Sequence, residues 1–273
     1  MPQNRLTADI RCAASQLGLR HIQLCSNFVY PRSVSPNSFI LHVGVIRLLI
    51  ISDEIKKAYP EALLGLLAMK NVCNPNQHEG LNQCKLELEN NLRKNFAQLE
   101  RFDLKDMEPL KTYHDYYKRF KKTYQVLLQL ESIVFKNKSI PKVASLVEVM
   151  FMAELKNLLL TAGHDLEAID RPLRLDVSSG KEKYTLLNGQ EKELLPGDMM
   201  ISDLKGIISS IIYGPDKRTR IRPNSRKVLF VVYAPPGIEK SKVFQHLQDI
   251  RNYVHIIAPE SEVELLKVYE CKD

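Results

Sequence analysis

Cysteine is scarce and unpaired in pattern: Cys12, Cys25, Cys73, Cys84 and Cys271 form an odd set without CxxC spacing. That excludes a disulfide framework and the common zinc-ligand arrangements, and it fits a reducing, cytoplasmic compartment. Long apolar runs are also missing. The greasiest stretch, residues 40–51, is interrupted by His42 and Arg47, whereas a spanning helix needs roughly 20 apolar residues; it reads as a buried strand. No compact apolar block followed by a small-residue cleavage site marks a secretory signal. A GxSxG elbow, a Gly-rich phosphate loop and an HExxH pair are likewise absent, which removes the signatures of serine hydrolases, nucleotide-dependent enzymes and zinc hydrolases. No motif implies a metal or a cofactor.

What is present is ordinary globular composition. Of 273 residues, 44% are hydrophobic and 26% charged, which sets aside collagen, coiled-coil and wholly disordered chains. Lysine and arginine number 39 against 32 acids, a net charge of +7 that suggests an acidic partner only if its position is known. Residues 1–47 hold Arg5, Arg11, Arg20, Arg32 and Arg47, no lysine, and Asp9 as the lone acid, a surplus of four of the seven charges. Leu6, Ile10, Ala13 and Leu17 fall on one helical face there. Such a leader is what an organellar transit peptide looks like; the alternatives are an extension without structure or a start codon placed too early. Residues 1–46 are therefore set apart from one α+β domain over 47–273.

Within that domain the first half reads as helical and the second as sheet. Ser52-Asp53 makes a plausible N-cap for a short helix ending near Pro60. Residues 61–72 are ambiguous, since Ala and Leu favour helix while Gly65 and the short length allow a buried strand. Helical spacing predicts helices over 78–101, 109–135 and 143–156. After Asp170, short β-rich runs at 172–178, 183–187, 198–202, 206–214, 219–222 and 227–234 alternate with turns such as Asn188-Gly189 and Pro196-Gly197. A helix over 240–253 and a strand over 263–270 close the chain.

Three stretches carry candidate chemistry. Tyr113, Tyr116, Tyr117, Phe120 and Tyr124 alternate with Lys118, Arg119, Lys121 and Lys122. This is either a base-stacking platform or, as the spacing of three and four favours, a buried aromatic stripe with a solvated basic face. Asn157, Thr161, His164 and Asp165 lie at a helix end and the turn after it, where they either orient a water and a carbonyl or cap the helix. Lys217, Arg218, Arg220, Arg222, Arg226 and Lys227 gather beside a single acid, Asp216. If 218–222 is a strand, Arg218, Arg220 and Arg222 share a face suited to phosphates; the alternative is a charge-protected edge.

In order along the chain, GHDLEAID (163–170), KEKYTLLNGQE (181–191), PGDMMISD (196–203), YGPDKRTRI (213–221) and KVLFVVYAPPGI (227–238) resemble the B3/B4-type domain, the tRNA-editing module of the phenylalanyl-tRNA synthetase β chain, in its stand-alone form. The resemblance spans roughly residues 48–240 and implies an α+β fold of helices packed on a mixed sheet or sandwich, with strand at 61–72. It implies hydrolysis of the ester of a mischarged, tyrosyl-tRNA(Phe)-like aminoacyl-tRNA in trans, or an amino-acid or tRNA binding module of the same fold that has lost hydrolysis. Its pocket boxes correspond to Asn157, Thr161, His164 and Asp165 for catalysis and Glu182, Gly214 and Asp216 for substrate, with Thr185 beside Glu182. Lys217, Arg218, Arg220 and Arg222 then meet the tRNA. Glu167 stands where the synthetase pattern has a histidine.

Overall fold

A computed structural model describes residues 48–272; the leader at 1–46 lies outside the described residues. Strand β1 (Leu49–Ile51) leads into helix α1 (Asp53–Ala58), whose N-cap Ser52 accepts a hydrogen bond from the Ile55 N–H as its sequence position predicts. Residues 63–70 are then strand β2, not helix. The reason is tertiary: seven of its eight residues are buried, and a strand covered on both faces reads as a continuous apolar run whatever its local propensity. Helices α2 (Glu79–Asn95), α3 (Arg101–Asp106), α4 (Leu110–Arg119), α5 (Gln125–Val134) and α6 (Ser145–Asn157) follow. The helical blocks expected at 78–101 and 109–135 are each broken, the second at Lys121, which takes a left-handed φ of 54°.

Strand β3 (Leu160–Asp165) comes only three residues after α6. The reading of 161–165 as a helix end and turn is thereby corrected: Leu158 at φ 60° reverses the chain at once, and six buried residues enter the sheet. The second half carries β4 (Leu173–Val177), β5 (Lys183–Thr185), β6 (Glu191–Glu193), β7 (Met199–Asp203), β8 (Gly206–Ser210), β9 (Gly214–Pro215) and β10 (Lys227–Ala234), then helix α7 (Lys240–Ile257) and β11 (Glu262–Glu270). Residues 219–222 are not a strand. They form a bend and loop with one isolated bridge, Arg220 to His164.

Two main sheets result. One is mixed, ordered β1-β4-β7-β8-β9; the other is antiparallel, ordered β11-β2-β10-β3, and β5-β6 forms a separate hairpin. Helices α6 and α7 cover one face of the antiparallel sheet. A side chain at Gly65 would come within 2.8 Å of Val243 on α7, and one at Gly163 within 2.4 Å of Met150 on α6. The other face meets the mixed sheet, where the Tyr233 and Ser209 hydroxyls are 2.6 Å apart.

Helix α4 ties the two sheets together. Tyr113 O–H donates to the Tyr233 carbonyl, Tyr117 O–H to the Ile211 carbonyl and Tyr116 O–H to the buried Asp198. Tyr113 stacks on Tyr124 at 4.4 Å between centroids. The tyrosines are thus buried polar-tipped wedges and present no ring to a base. The result is an α+β fold with a largely helical first half packed on a sheet-rich second half.

Candidate functional site

Both sheets end in an edge at one seam, β3 on one side and β9 on the other, and α5 and α6 lie across it. A cavity of about 520 Å³ opens there. Val147, Met150 and Phe151 of α6, with Pro215 and Ile221, supply apolar wall. Gln125, Gln129, Glu154, Thr161, Tyr213 and Arg220 supply the polar groups. Gly163 forms part of the floor because only a missing Cβ lets Met150 and Ile221 close over β3.

Glu154 faces the cavity from α6 and is almost fully buried. Its Oε1 accepts from the Thr161 N–H at 2.8 Å, yet burial pushes its carboxyl from 4.5 up to about 8. At neutral pH it is mainly protonated and can donate a hydrogen bond. Thr161 stands next to it. Its Oγ1 is 2.6 Å from Nε2 of His246 on α7, a residue wholly buried and pushed down to about 3 by desolvation. Asn157 Nδ2 lies 3.2 Å from His246 Nδ1 and donates to Asp249 Oδ2 at 3.0 Å; Asp249 also holds Lys156 at 2.9 Å.

The tautomer of His246 sets the direction of the Thr161 contact. Asn157 Nδ2 has two protons for three acceptors, the Ala153 carbonyl, Asp249 Oδ2 and His246 Nδ1. With Nδ1 accepting, Nε2–H donates to Thr161 Oγ1 and leaves the threonine proton for an acceptor in the cavity; with Nδ1 protonated, Thr161 donates to Nε2. The described residues offer the Thr161 hydroxyl no side-chain partner other than His246. In the first tautomer Thr161 O–H and Glu154 O–H are two neutral donors bordering one space. Gln129 adds a carbonyl oxygen without a partner among the described residues.

The expected site residues separate into those at this cavity and those elsewhere. Thr161, Gly214 and Arg220 line it, and Asn157 sits one shell behind through His246. His164 points to the opposite face of β3, as alternation along a strand requires. There its ring is fully buried, 2.7 Å from Thr219 Oγ1, and lowered to about 3 by burial reinforced by Arg218. Asp165 is spent on the Glu167 N–H and the Ser225 hydroxyl. Glu182 gathers the Ser178 and Ser179 hydroxyls and the backbone of residues 179–181, so that although burial raises its carboxyl, these bonds hold it near 2. Asp216 accepts from Thr219 and from the Arg218 N–H and closes its own turn. None of these four lines the cavity. Glu167, the departure from the synthetase pattern, is a surface residue 3.9 Å from Lys227.

The arginine row does not form. Arg218 turns inward and grips Asp203 with both terminal nitrogens, at 2.9 and 2.8 Å. Asp203 also accepts from the N–H groups of Asp170, Lys205 and Gly206. Arg222 donates to the Arg218 carbonyl, and Lys217 is exposed with its carbonyl bonded to Arg220. Glu154 and His246 escaped sequence reading. Glu154 could have been found as a carboxylate inside the apolar run LVEVMFMAEL, residues 146–155; nothing local distinguishes His246.

Glu154 makes stability depend on pH. Between 4.5 and about 8 the folded chain holds a proton that the unfolded chain releases, so its contribution is full below 4.5 and lost as pH rises through 8. Glu154→Gln, which cannot ionise, is expected to gain on the native protein steadily from pH 5 to 8 in urea unfolding. Parallel curves for the two proteins would contradict a buried, protonated Glu154.

The fold and cavity define an α+β two-sheet domain with a partly apolar cavity at the sheet seam. The model of the B3/4 domain matches residues 112–256, more than half of the chain, and the chain belongs to that family. Among solved structures, it is similar to an N-terminal fragment of the phenylalanyl-tRNA synthetase beta-subunit from Pyrococcus horikoshii, over 79% of this chain at 10% identity and a TM-score of 0.41. The match covers 49% of that fragment, so the chain spans about half its length. No curated protein matches. Among the described residues, no helix is long and apolar enough to cross a membrane, and no group of three or more His, Cys, Asp or Glu side chains could hold a metal ion.

Proposed function

We propose that the seam cavity takes the aminoacyl end of a mischarged, tyrosyl-tRNA(Phe)-like aminoacyl-tRNA and hydrolyses its ester in trans. The observation that carries this reading is the placement of the Thr161 hydroxyl and the buried Glu154 carboxyl at a cavity walled by Met150, Phe151 and Ile221; the reading takes the His246 tautomer that leaves the threonine proton free. An aminoacyl ester is already reactive, so a held water and stabilisation of the developing oxyanion suffice without a covalent nucleophile. Water attacks the ester carbonyl while Thr161 O–H and Glu154 O–H donate to its oxygen. The bond to the ribose oxygen then breaks, and a proton from the attacking water returns to that oxygen. Gln129 offers its unpartnered carbonyl to the substrate ammonium. Purified protein incubated with tyrosyl- and phenylalanyl-charged tRNA tests the reading; hydrolysis no faster than in buffer for every charged tRNA tried removes it.

One observation favours the second reading, a binding module without turnover: Glu154 is mainly protonated at neutral pH, and His246 is buried and a weak base. Both readings need the cavity's volume. In Gly163→Ala the new Cβ would meet Met150 Sδ at 2.4 Å and Ile221 Cδ1 at 2.8 Å. Both belong to flexible side chains that line the cavity and can yield into it. An increase in KM or Kd of about tenfold with an unchanged unfolding midpoint is expected, the scale of one methylene in a fitted pocket. Unchanged affinity would place the ligand elsewhere.

A further inference from the structure

Beside the cavity mouth the charge is uncompensated. Lys122, from the loop after α4, places Nζ 5.8 Å from the Tyr213 ring centroid, and Lys192, from β6, places its own 4.8 Å from the same ring. Tyr213 lines the cavity, and so does Arg220, whose Nη1 donates to the Lys217 carbonyl. None of the three cations forms an ion pair with a carboxylate among the described residues, although 14 such pairs occur elsewhere, as between Lys183 and Glu193 at 3.5 Å. Lys192 is instructive because acids flank it in sequence. On β6, Glu191 and Glu193 are exposed while Lys192, paired in register with Tyr184, is half-buried. Alternation turns the lysine away from both glutamates and towards Tyr213. Three segments distant in sequence thus bring unpaired cations together around one opening, where ordinary surface charge would be interspersed with acids.

We propose that this rim is a phosphate-binding site for an RNA strand. Lys122, Lys192 and Arg220 hold backbone phosphates of the terminal nucleotides while the acylated 3′ end enters the cavity. The inference rests on the reading above for the identity of the strand, and it moves the RNA contact from the expected 218–222 row to a rim that shares only Arg220 with it. Cations from separate segments suit a chain of phosphates better than a single one, and Tyr213 gives a ring beside which a base can lie.

The test uses the full chain and an uncharged RNA hairpin with a single-stranded 3′ tail, titrated at several salt concentrations. For Lys122→Ala/Lys192→Ala, binding is expected to weaken about tenfold at 0.1 M salt. The slope of log K against log salt should become shallower by about 1.4, the loss of two single-strand phosphate contacts. Lys242→Ala/Lys267→Ala removes equal charge; Lys267 lies on β11 at the far edge of the antiparallel sheet, and Lys242 in the first turn of α7, which Lys240 ties to Glu270 of β11. It should change binding less than twofold. Equal loss in both double variants, or none in the first, overturns the proposal. So does AMP binding as tightly as the hairpin, which marks a mononucleotide site, or a rim variant that loses only anionic vesicle binding. Hairpin binding through the rim without deacylation sinks the deacylase reading alone. Deacylation with KM for charged tRNA unchanged in the rim variant sinks this inference alone.

Discussion

Thr161→Val is expected to lower the deacylation kcat about 100-fold, the scale of losing one oxyanion donor, while Thr161→Ser retains most of the rate. Valine preserves the shape of threonine on β3 and removes only the hydroxyl. The same change leaves His246 Nε2 without its partner at 2.6 Å in a fully buried place, at a cost of about 1–3 kcal/mol, so rates are compared at a temperature where both proteins are folded. Single-turnover hydrolysis of tyrosyl-charged tRNA measures the effect. A valine variant within threefold of the native rate would mean that the threonine proton takes no part. Arranging Thr161, His246, Asn157 and Asp249 in line makes the prediction directional. If His246 orients the hydroxyl, His246→Gln should lower kcat less than Thr161→Val does and leave KM unchanged.

Asp203→Ala is expected to destabilise the chain by about 3 kcal/mol, the lower end for breaking a buried ion pair by removing one partner. The carboxylate is fully buried, and the Arg218 guanidinium is one-third exposed, so water can still reach part of the abandoned cation. Three backbone N–H groups lose their acceptor as well. Burial would raise the Asp203 carboxyl, but Arg218 and these N–H groups hold it below the usual carboxylate range, a sign that the pair is net favourable to the charged form. The midpoint of urea unfolding at neutral pH reads the effect. A shift worth less than about 1 kcal/mol would show Arg218 re-solvated at little cost. The pair also anchors the bend at 216–220 that presents Arg220 to the cavity, so activity should fall more in Asp203→Ala than its folded fraction accounts for.

Local rules carried the reading of this sequence wherever a local cause governs the structure. The Ser52 cap, the Asn188-Gly189 hairpin turn and the apolar strand β10 all follow from neighbours a few residues away. Strand β2 did not, because its environment comes from β10 and β11, about 160 and 200 residues later; only the resemblance implied it. The basic stretch at 217–227 shows the same limit in side chains. Alternating arginines are compatible with a phosphate-binding row, but the destination of Arg218 is an aspartate 15 residues earlier, at the end of β7. The lining of the cavity was legible in part. Thr161, Gly214 and Arg220 do meet at one cavity, while Glu154 and His246 derive their properties from burial, which a lone Glu or His in sequence does not announce. His164, Asp165, Glu182 and Asp216 lie away from that cavity, in buried networks and turns that sequence spacing does not reveal.

The strand order β11-β2-β10-β3 bears on where this domain can be cut. The family match runs from residue 112 to 256, so it contains β10 and β3 but neither β2 nor β11. A fragment trimmed to the match would strip β10 of its partner along all eight paired residues, from Lys227 to Ala234. A central, apolar strand would become a bare hydrogen-bonding edge, a template for another chain. The recognisable segment is therefore smaller than the unit that folds, and the residues that seal its sheet come from both sides of it.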